Sequence, residues 1–269
     1  MSTALVTGAA RGIGRATVLH LAGRGWRVVA GVRDTSTVGF DHPAVSVVQL
    51  DVTDAASVRQ GVADAQQVAG GSLDAVVSNA GYAVVGAVED VAMDEVRAVF
   101  ETNTFGALAV VQAALPAMRE AGGGTVVFVS TIGASLPTPL LGAYRASKAA
   151  LNAFAEVLSL EGRHFGIRVG RVEPGMVATE FSKATRRSGS ITDPDGPYAP
   201  LGAALREGMG RWRAEYEVTA DAVAAEIVRI IEDRDADHVT LVGDDAKRLQ
   251  GSDEDGMLTF LGAEWPRRP

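Results

Sequence analysis

The chain alternates between short apolar runs and longer segments of helical periodicity, and this alternation narrows most strongly the folds open to it. Strand-like runs lie at 3–7, 27–32, 45–50, 74–78, 125–130, 167–172 and 238–242, and helical segments at 15–24, 54–68, 94–120, 144–163 and 219–231. Strands separated by helices pair in parallel through right-handed crossovers, which place helices on both faces of the sheet. The pattern predicts an α/β fold, a doubly wound parallel sheet of about seven strands.

We expect one domain over residues 1–269, because the sequence contains no internal repeat and no linker between two cores. Residues 180–215 are polar and rich in glycine and proline, which favours a lid over a substrate pocket; a disordered loop would have the same composition. Residues 244–269 form an acidic and then basic C-terminal tail. We expect the tail to pack through its apolar side chains, Leu258, Phe260, Leu261 and Trp265.

Composition excludes several functional classes. The chain has no cysteine, which excludes disulfides and thiolate metal sites and favours a reducing cytoplasm. Its four histidines, at 20, 42, 164 and 238, lack the spacing of metal ligands, so we expect no metal. A net charge of −8 without a basic run argues against nucleic acid or an anionic membrane as partner.

Polar and glycine residues follow the strand-like runs at the ends where parallel strands finish together. These residues are Gly8, Arg33, Asp51, Asn79, Ser130 and Pro174. Ligands of open parallel sheets bind beyond the carboxyl ends of the strands. The convergence predicts one cofactor site at this edge.

The first strand leads directly into a glycine-rich turn, Gly8-Ala-Ala-Arg-Gly12-Ile-Gly14. Glycines allow a tight turn and close backbone approach, and the amino end of the following helix offers unpaired N–H groups to a pyrophosphate. This position, at the first junction between strand and helix, is typical of a dinucleotide site.

The end of the second strand indicates which dinucleotide binds. An acidic residue there binds the 2′-hydroxyl of the adenine ribose, whereas arginine accommodates a 2′-phosphate. Val32 takes the usual acidic position, Arg33 follows, and Arg11 can supply a second positive charge. We expect NADP(H) to be preferred. Asp34 leaves NAD(H) possible, because its carboxylate can pair with Arg33 or bind the ribose.

Tyr144 and Lys148 lie four positions apart in a helical segment, which places both side chains on one face. An ammonium roughly 4 Å from the phenol, at an effective dielectric of about 20, favours the phenolate by up to ~4 kcal/mol, or about three pKa units. The pair could therefore exchange a proton with a substrate alcohol or carbonyl.

Asn103 lies near the middle of the helical segment 94–120, in Asn-Thr-Phe-Gly. Asparagine and glycine are poor residues for a helix interior, so the sequence predicts a break or bulge here.

These motifs together resemble the short-chain dehydrogenases/reductases, in their single-domain, hydroxysteroid- and retinol-dehydrogenase-like branch. The matching pieces are Thr7-Gly-x-x-x-Gly-Ile-Gly14, Asp51, Asn79-Ala-Gly81, Asn103, Tyr144-x-x-x-Lys148, and Pro174-Gly175 with Thr179. The resemblance implies a Rossmann fold and an oxidoreductase that interconverts an alcohol and a ketone or aldehyde by hydride transfer with NAD(P).

The resemblance also implies a role for each matching residue. Tyr144 is the expected acid/base, Lys148 binds the nicotinamide ribose and lowers the tyrosine pKa, and Asn103 anchors a water in a proton relay. The expected cofactor residues are Gly8, Arg11, Gly12, Ile13, Gly14, Arg33, Asp51, Val52, Asn79, Ala80, Gly81, Tyr144, Lys148, Pro174, Gly175, Val177 and Thr179. Among them, Asp51 contacts adenine and Thr179 the nicotinamide carboxamide.

The chain departs from the family pattern in two places. The family's substrate-binding serine falls at Thr131, with Ser130 one position earlier, so either hydroxyl is a candidate to hold the substrate oxygen. The tail is longer than in many tetrameric members, which leaves both a homodimer and a homotetramer open.

We expect the partner to be a small-molecule alcohol or carbonyl substrate, whose identity no motif indicates. The alternative is a non-catalytic dinucleotide sensor on the same fold. Such a sensor would keep the glycine turn and lose the acid/base pair, so the intact Tyr144 and Lys148 favour the enzyme.

Overall fold

A computed structural model describes residues 1–261, except the side chains of residues 37, 190, 192, 254, 258, 260 and 261. The central sheet consists of β1 Thr3–Thr7, β2 Arg27–Val32, β3 Val45–Gln49, β4 Ala75–Ser78, β6 Gly124–Val129, β7 Ile167–Pro174 and β11 Val239–Val242. Shorter strands outside it are β5 Val84–Val85, β8 Val177–Ala178, β9 Arg186–Arg187 and β10 Val218–Thr219.

The seven strands pair in parallel in the order β11-β7-β6-β4-β1-β2-β3. The chain adds β2 and β3 on one side of β1, and then returns to place β4 on the other side. This reversal opens a crevice beyond the carboxyl ends of β1 and β4, where open α/β sheets bind their ligands. The predicted fold class is confirmed.

Helices cover both faces of the sheet. They are α1 Gly12–Gly23, α2 Ala55–Ala69, α3 Met93–Phe100, α4 Ala107–Glu120, α5 Gly142–Arg163, α6 Phe181–Ala184, α7 Ala199–Tyr216, α8 Ala220–Glu232, α9 Asp244–Leu249 and α10 Glu254–Leu261. In β1, Ala4 and Val6 face the core beneath α1 and α8, and Leu5 faces the core beneath α2, α4 and α5. Apolar strands buried on both faces are what a doubly wound parallel sheet requires.

Two helices begin at residues whose side chains cap them, as the sequence predicts. The Asp54 carboxylate accepts from the backbone N–H groups of Ala56 and Ser57 at the start of α2. The Thr219 hydroxyl accepts from the N–H of Ala222 at the start of α8. A cap of this kind stabilises a helix by ~1 kcal/mol, because it satisfies an N–H group that has no partner within the helix.

The predicted irregularity at Asn103 is a π-helical turn, Glu101–Gly106, between α3 and α4. The combined segment Met93–Glu120 is long and apolar enough to cross a membrane by length and composition alone. It instead packs within the protein, with Asn103, Val110 and Met118 completely buried, as in a core helix.

The segment 180–215 is more ordered than its composition predicts. It contains α6, β9 and most of α7, and β9 pairs with β5. Three glycines at 202, 208 and 210 obscure the helical pattern of α7 in the sequence. Burial of Leu205 and Trp212 on one face of α7 supplies the stabilisation that local propensity lacks.

The C-terminal tail begins with α9 and α10, which pack through Ala246, Leu249 and Met257. The side chains of Leu258, Phe260 and Leu261, and the whole of Trp265, lie outside the described residues, so the expected packing through them stays a prediction.

Candidate active site

A cleft of about 1200 Å³ lies beyond the carboxyl ends of the strands. It extends from the glycine turn to α7, and the segment 180–215 forms part of its wall. Every residue predicted to bind the cofactor or to act in catalysis lines this cleft, with two exceptions, Gly14 and Asn103. The structure therefore brings together residues that are far apart in the sequence.

The glycine turn has the geometry that a close approach of a ligand to the backbone requires. Gly8 and Gly12 have φ angles of 63° and 55°, a region that favours glycine. A Cβ atom on Gly14 would lie 2.4 Å from the Gly8 carbonyl oxygen. Gly14 thus shapes the turn from behind and does not face the ligand.

Thr7 and Asn79 hold the glycine turn against the end of β4. The Asn79 side chain donates to the Thr7 carbonyl at 2.9 Å, and the Thr7 hydroxyl accepts from the Asn79 N–H at 3.0 Å. Thr7 opens the sequence motif but was not among the predicted site residues. The sequence could not indicate this role, because it depends on β1 and β4 being neighbours in the sheet.

Asp51 and Arg33 line the cleft beyond β2 and β3, the end where the sequence predicts that adenine binds. Asp51 accepts from the N–H and hydroxyl of Thr53 through one carboxylate oxygen, which fixes its orientation. Asp34 accepts from Ser36, which lowers the pKa of its carboxyl. Among the carboxylates whose side chains the structure describes, none lies at ion-pairing distance from the Arg33 guanidinium.

These residues fit a dinucleotide. The N-cap residue of α1, Arg11, makes no side-chain hydrogen bond to the first helical turn, so the N–H groups of that turn point toward the cleft without a capping side chain. The glycine turn lies close against the loop after β4, since a Cβ atom on Gly8 would lie 2.9 Å from the Ala80 Cα, and Arg33 supplies a positive charge at the other end of the same cleft wall.

Tyr144 lines the cleft, and the hydroxyl of Thr131 lies beside its phenol. The Thr131 hydroxyl accepts from the Gly133 N–H at 3.1 Å and donates to the Pro174 carbonyl at 3.4 Å. Burial raises the pKa of Tyr144 to about 12, and the neighbouring Thr131 hydroxyl opposes this rise. The expectation that Lys148 lowers the tyrosine pKa is therefore wrong for this structure. The phenol is in its protonated, proton-donating form at neutral pH.

The buried position of Lys148 explains why this lysine does not lower the tyrosine pKa. Its ammonium donates to the backbone carbonyl of Val129 at 2.8 Å, and only 4 % of the residue is exposed. Burial lowers the pKa of Lys148 to about 8. The spacing of four residues does place both side chains in one cleft, but desolvation dominates the titration of each.

Ser130 points away from Tyr144. Its hydroxyl donates to the Asn152 side chain at 2.6 Å, and Asn152 donates to Glu173 at 3.0 Å. Glu173 forms a buried ion pair of 2.7 Å with Arg171. Burial raises the pKa of Glu173, and Arg171 opposes the rise. Of the two candidate hydroxyls, the structure thus places that of Thr131 beside the phenol.

Asn103 lies behind the cleft and is completely buried. Its side chain accepts from the Tyr82 N–H at 3.0 Å, and donates to the Tyr82 carbonyl and the Ser147 hydroxyl at 2.9 and 3.0 Å. The π-helical turn presents this amide to the loop that follows β4. The described contacts make Asn103 a positioning residue for the loop, and its expected role toward a water stays a prediction.

Sequence reasoning missed a buried carboxylate, Asp245, at the substrate end. It accepts from the backbone N–H of Met176 and from the indole N–H of Trp212, each at 2.7 Å, and from the N–H of Ala246 at 2.8 Å. Asp245 thus links the end of β7 to α7. Its position next to Asp244, in a stretch that looks solvent-exposed, gave no signal in the sequence.

The described part of the chain contains no group of three side chains able to hold a metal ion. His20 lies 3.0 Å from the carboxylate of Asp221, and His238 lies 2.7 Å from the Val169 carbonyl.

Comparison with known proteins identifies the family. The model of the short chain dehydrogenases matches residues 2–189. Oxidoreductase BOA17 of Botryotinia fuckeliana is 31% identical over 97% of this chain and 95% of its own length. Retinol dehydrogenase 8 of Bos taurus is 35% identical over 72% of this chain and 66% of its own.

Solved structures show the same fold. A short-chain dehydrogenase from Streptomyces avermitilis superposes with a TM-score of 0.83 and 31% identity, covering 98% of this chain and 94% of that one. Two structures share the fold at lower identity. A short chain dehydrogenase from Burkholderia cenocepacia in complex with NADP has a TM-score of 0.75 and 24% identity, covering 97% of this chain and 98% of that one. A 3-ketoacyl-(acyl-carrier-protein) reductase from Brucella melitensis complexed with NADH has a TM-score of 0.74 and 23% identity, covering 90% of this chain and 95% of that one.

The glycine turn, Tyr144, Thr131 and the buried Lys148 line one cleft of a doubly wound sheet. The family model matches most of the chain, and Oxidoreductase BOA17 is similar over nearly the full length of both chains. The chain therefore belongs to the short-chain dehydrogenase/reductase family of oxidoreductases.

Proposed function

We propose that the protein is an NADP(H)-dependent oxidoreductase that interconverts a carbonyl compound and its alcohol, with Tyr144 as the acid/base. The observation that carries the proposal is the position of the Thr131 hydroxyl beside the Tyr144 phenol, in the same cleft that the glycine turn lines. Two hydroxyls so placed can both contact one substrate oxygen.

The chain's own residues hold and move the proton. Thr131 donates to the substrate oxygen and orients it, and Tyr144 transfers its phenolic proton to that oxygen. Lys148 would hold the ribose of a bound nicotinamide dinucleotide, which would supply or accept the hydride. With a pKa raised to about 12, the phenol of Tyr144 is protonated at neutral pH, the form that can donate a proton in carbonyl reduction.

The preference for NADP(H) rests on the adenine end of the cleft. Arg33 and Arg11 line it, and the described chain gives Arg33 no carboxylate partner. A guanidinium binds a phosphate through paired, charge-assisted hydrogen bonds. One of the solved structures of the same fold holds NADP and another holds NADH, so the argument for NADP(H) rests on these two arginines.

The proposal is tested by following NADPH and NADH oxidation across classes of ketone and aldehyde, with wild type and Arg33→Asp. We expect wild type to turn over with NADPH. The Arg33→Asp change should reduce its preference for NADPH over NADH by about ten- to a hundredfold, because a carboxylate repels the 2′-phosphate. An unchanged preference would remove Arg33 from the assignment, and the absence of turnover with every carbonyl class would contradict the function.

Two finer features complete the proposal. Reduction with NADPH in the cytoplasm is consistent with a chain that has no cysteine. The segment 180–215 acts as a lid: Phe181 lies 6.0 Å from the Tyr144 ring, centroid to centroid, so movement of this segment would uncover the reacting centre.

A further inference from the structure

The substrate half of the cleft combines an apolar wall with positive charge. Helix α7 presents one continuous stripe to it, made of Gly202, Leu205, Arg206, Met209, Trp212 and Arg213. This spacing is that of a single helix face. Leu205 and Trp212 are buried, so the stripe is fixed against the protein, while Arg206 and Arg213 are exposed at its edge.

The substrate half of the cleft carries mainly positive charge, although the chain as a whole is negatively charged. From residues 180–215, the cleft is lined by five cations, Lys183, Arg186, Arg187, Arg206 and Arg213, and by a single carboxylate, Glu180. The chain as a whole has a net charge of −8. An acidic protein that concentrates cations around an apolar pocket places them where an anionic ligand can use them.

Three of these cations have no anionic partner among the side chains that the structure describes. Lys183 pairs with Glu180, and Arg213 lies 3.1 Å from Glu217. Arg186, Arg187 and Arg206 have no described carboxylate within 4.0 Å.

Arg186 is oriented by an aromatic ring. Its guanidinium carbon lies 4.8 Å from the centre of the Tyr82 ring, and the Tyr82 backbone is held by Asn103. Arg187 and Arg206 make no such contact, and both line the cleft. Their guanidinium groups remain available to a ligand.

We propose that the enzyme acts on carbonyl compounds that carry an apolar body and an anionic group, a carboxylate or a phosphate, which Arg187 and Arg206 bind. The proposal rests on the proposed function for its reaction and adds the chemical class of the substrate. The carbonyl lies at Tyr144 and Thr131, the apolar body lies along Leu205 and Met209, and the anion meets the two arginines.

The test compares oxo-fatty acids of increasing chain length with their methyl esters, which have nearly the same shape without the charge. A third series carries a phosphate monoester in place of the carboxylate. At low ionic strength we expect wild type to prefer the acid or the phosphate over the ester by at least about tenfold in kcat/KM, as for a hydrogen bond to a charged group. Added salt should reduce the preference. Whichever of the two anionic series, carboxylate or phosphate, is preferred more strongly over the ester identifies the anionic group that the site binds.

Variants test whether Arg187 and Arg206 cause the preference for the acid over the ester. In the double variant Arg187→Gln/Arg206→Gln, the ratio of acid to ester should fall to near one. Arg211→Gln is the matched control, because Arg211 lies on α7, pairs with Glu207 and does not line the cleft. It should keep the wild-type ratio. A wild type that prefers the ester, or a double variant that keeps its preference for the acid, would overturn the proposal.

Calorimetric titration of the same acids and esters into the NADP⁺-loaded protein separates this inference from the proposed function. If no carbonyl is turned over, the proposed reaction fails, yet tighter binding of the acid that depends on Arg187 and Arg206 still supports the anion site. Equal binding of acid and ester overturns the anion site whatever the turnover.

Discussion

Ser130 and Thr131 are adjacent, yet their side chains serve different parts of the protein. Neighbouring residues at the end of a strand point to opposite faces. The Ser130 hydroxyl donates to Asn152, whereas the Thr131 hydroxyl lies beside the Tyr144 phenol. Spacing along the sequence favours Thr131, and the hydrogen bond to Asn152 explains why the Ser130 hydroxyl is held away from the substrate.

Thr131→Val should lower kcat/KM by roughly ten- to a thousandfold, equivalent to the ~1.4–4 kcal/mol of one transition-state hydrogen bond. Thr131→Ser, which keeps the hydroxyl, should restore most of the activity. Ser130→Ala should instead reduce the melting temperature, because the Asn152 side-chain oxygen loses the hydroxyl that donates to it, at a cost of ~1 kcal/mol. Larger loss of kcat/KM from the serine change than from the valine change would reverse the assignment.

Lys148 offers a direct test of the electrostatics of the site. Burial lowers its pKa to about 8, whereas Lys183 and Lys247, the only other lysines in the sequence, are exposed. An NMR titration of ¹³C-labelled lysine in the cofactor-free protein should show one resonance with a midpoint near 8, absent from Lys148→Arg.

The lowered pKa of Lys148 also determines how the stability of the fold changes with pH. The unfolded chain binds the lysine proton up to its ordinary pKa of 10.5, and the folded chain releases it near 8. Lys148 therefore destabilises the fold below pH ~8, and this cost diminishes as the pH rises toward the ordinary value. Three lysines that all titrate near their ordinary pKa would contradict the burial of Lys148.

At the scale of elements, Asp245 joins parts of the chain that are remote in sequence. Its carboxylate receives the Met176 N–H, next to the cofactor half of the cleft, and the Trp212 indole N–H, from the helix that forms the substrate half. A carboxylate can accept both hydrogen bonds through one oxygen, while an amide nitrogen in that place would repel the donors.

Asp245→Asn should loosen α7 and expose 180–215 to protease, because it weakens the contact with Trp212 by ~1–3 kcal/mol. Limited proteolysis should show faster cleavage in this segment, and cofactor with substrate should protect wild type more than cofactor alone. Asp244→Asn is the control, since that neighbouring side chain is largely exposed. Equal cleavage of the Asp245 variant and wild type would remove Asp245 as the anchor.

The elements also show what the sequence could predict. All seven strands of the sheet, the caps at Asp54 and Thr219 and the irregular turn at Asn103 follow from local patterns, since each depends on periodicity or on one residue's propensity. Helix α7 escaped prediction because glycines mask its periodicity and its stability comes from burial of Leu205 and Trp212. The residues of the cleft were predictable from motifs, but the pKa directions of Tyr144 and Lys148 required the depth of burial, which no spacing encodes.

For the whole molecule, helix α5 displays an apolar row to solvent. Phe154, Val157 and Leu160 are 41%, 54% and 64% exposed. We expect this face to join copies of the chain, because burying it removes apolar surface from water. Val157→Glu with Leu160→Glu should lower the mass measured by light scattering toward the 27.9 kDa of one chain. Wild type that already has this mass would contradict the expectation.

The central claim is that this cleft reduces a carbonyl through the proton of Tyr144, and the turnover of Tyr144→Phe tests it most directly. The phenyl ring keeps the packing and loses only the donor, so we predict unchanged melting temperature and NADPH affinity. We predict a fall in kcat/KM of about a hundredfold to ten thousandfold, as for the loss of a general acid. A variant that binds NADPH normally and retains activity within about tenfold of wild type would contradict the account.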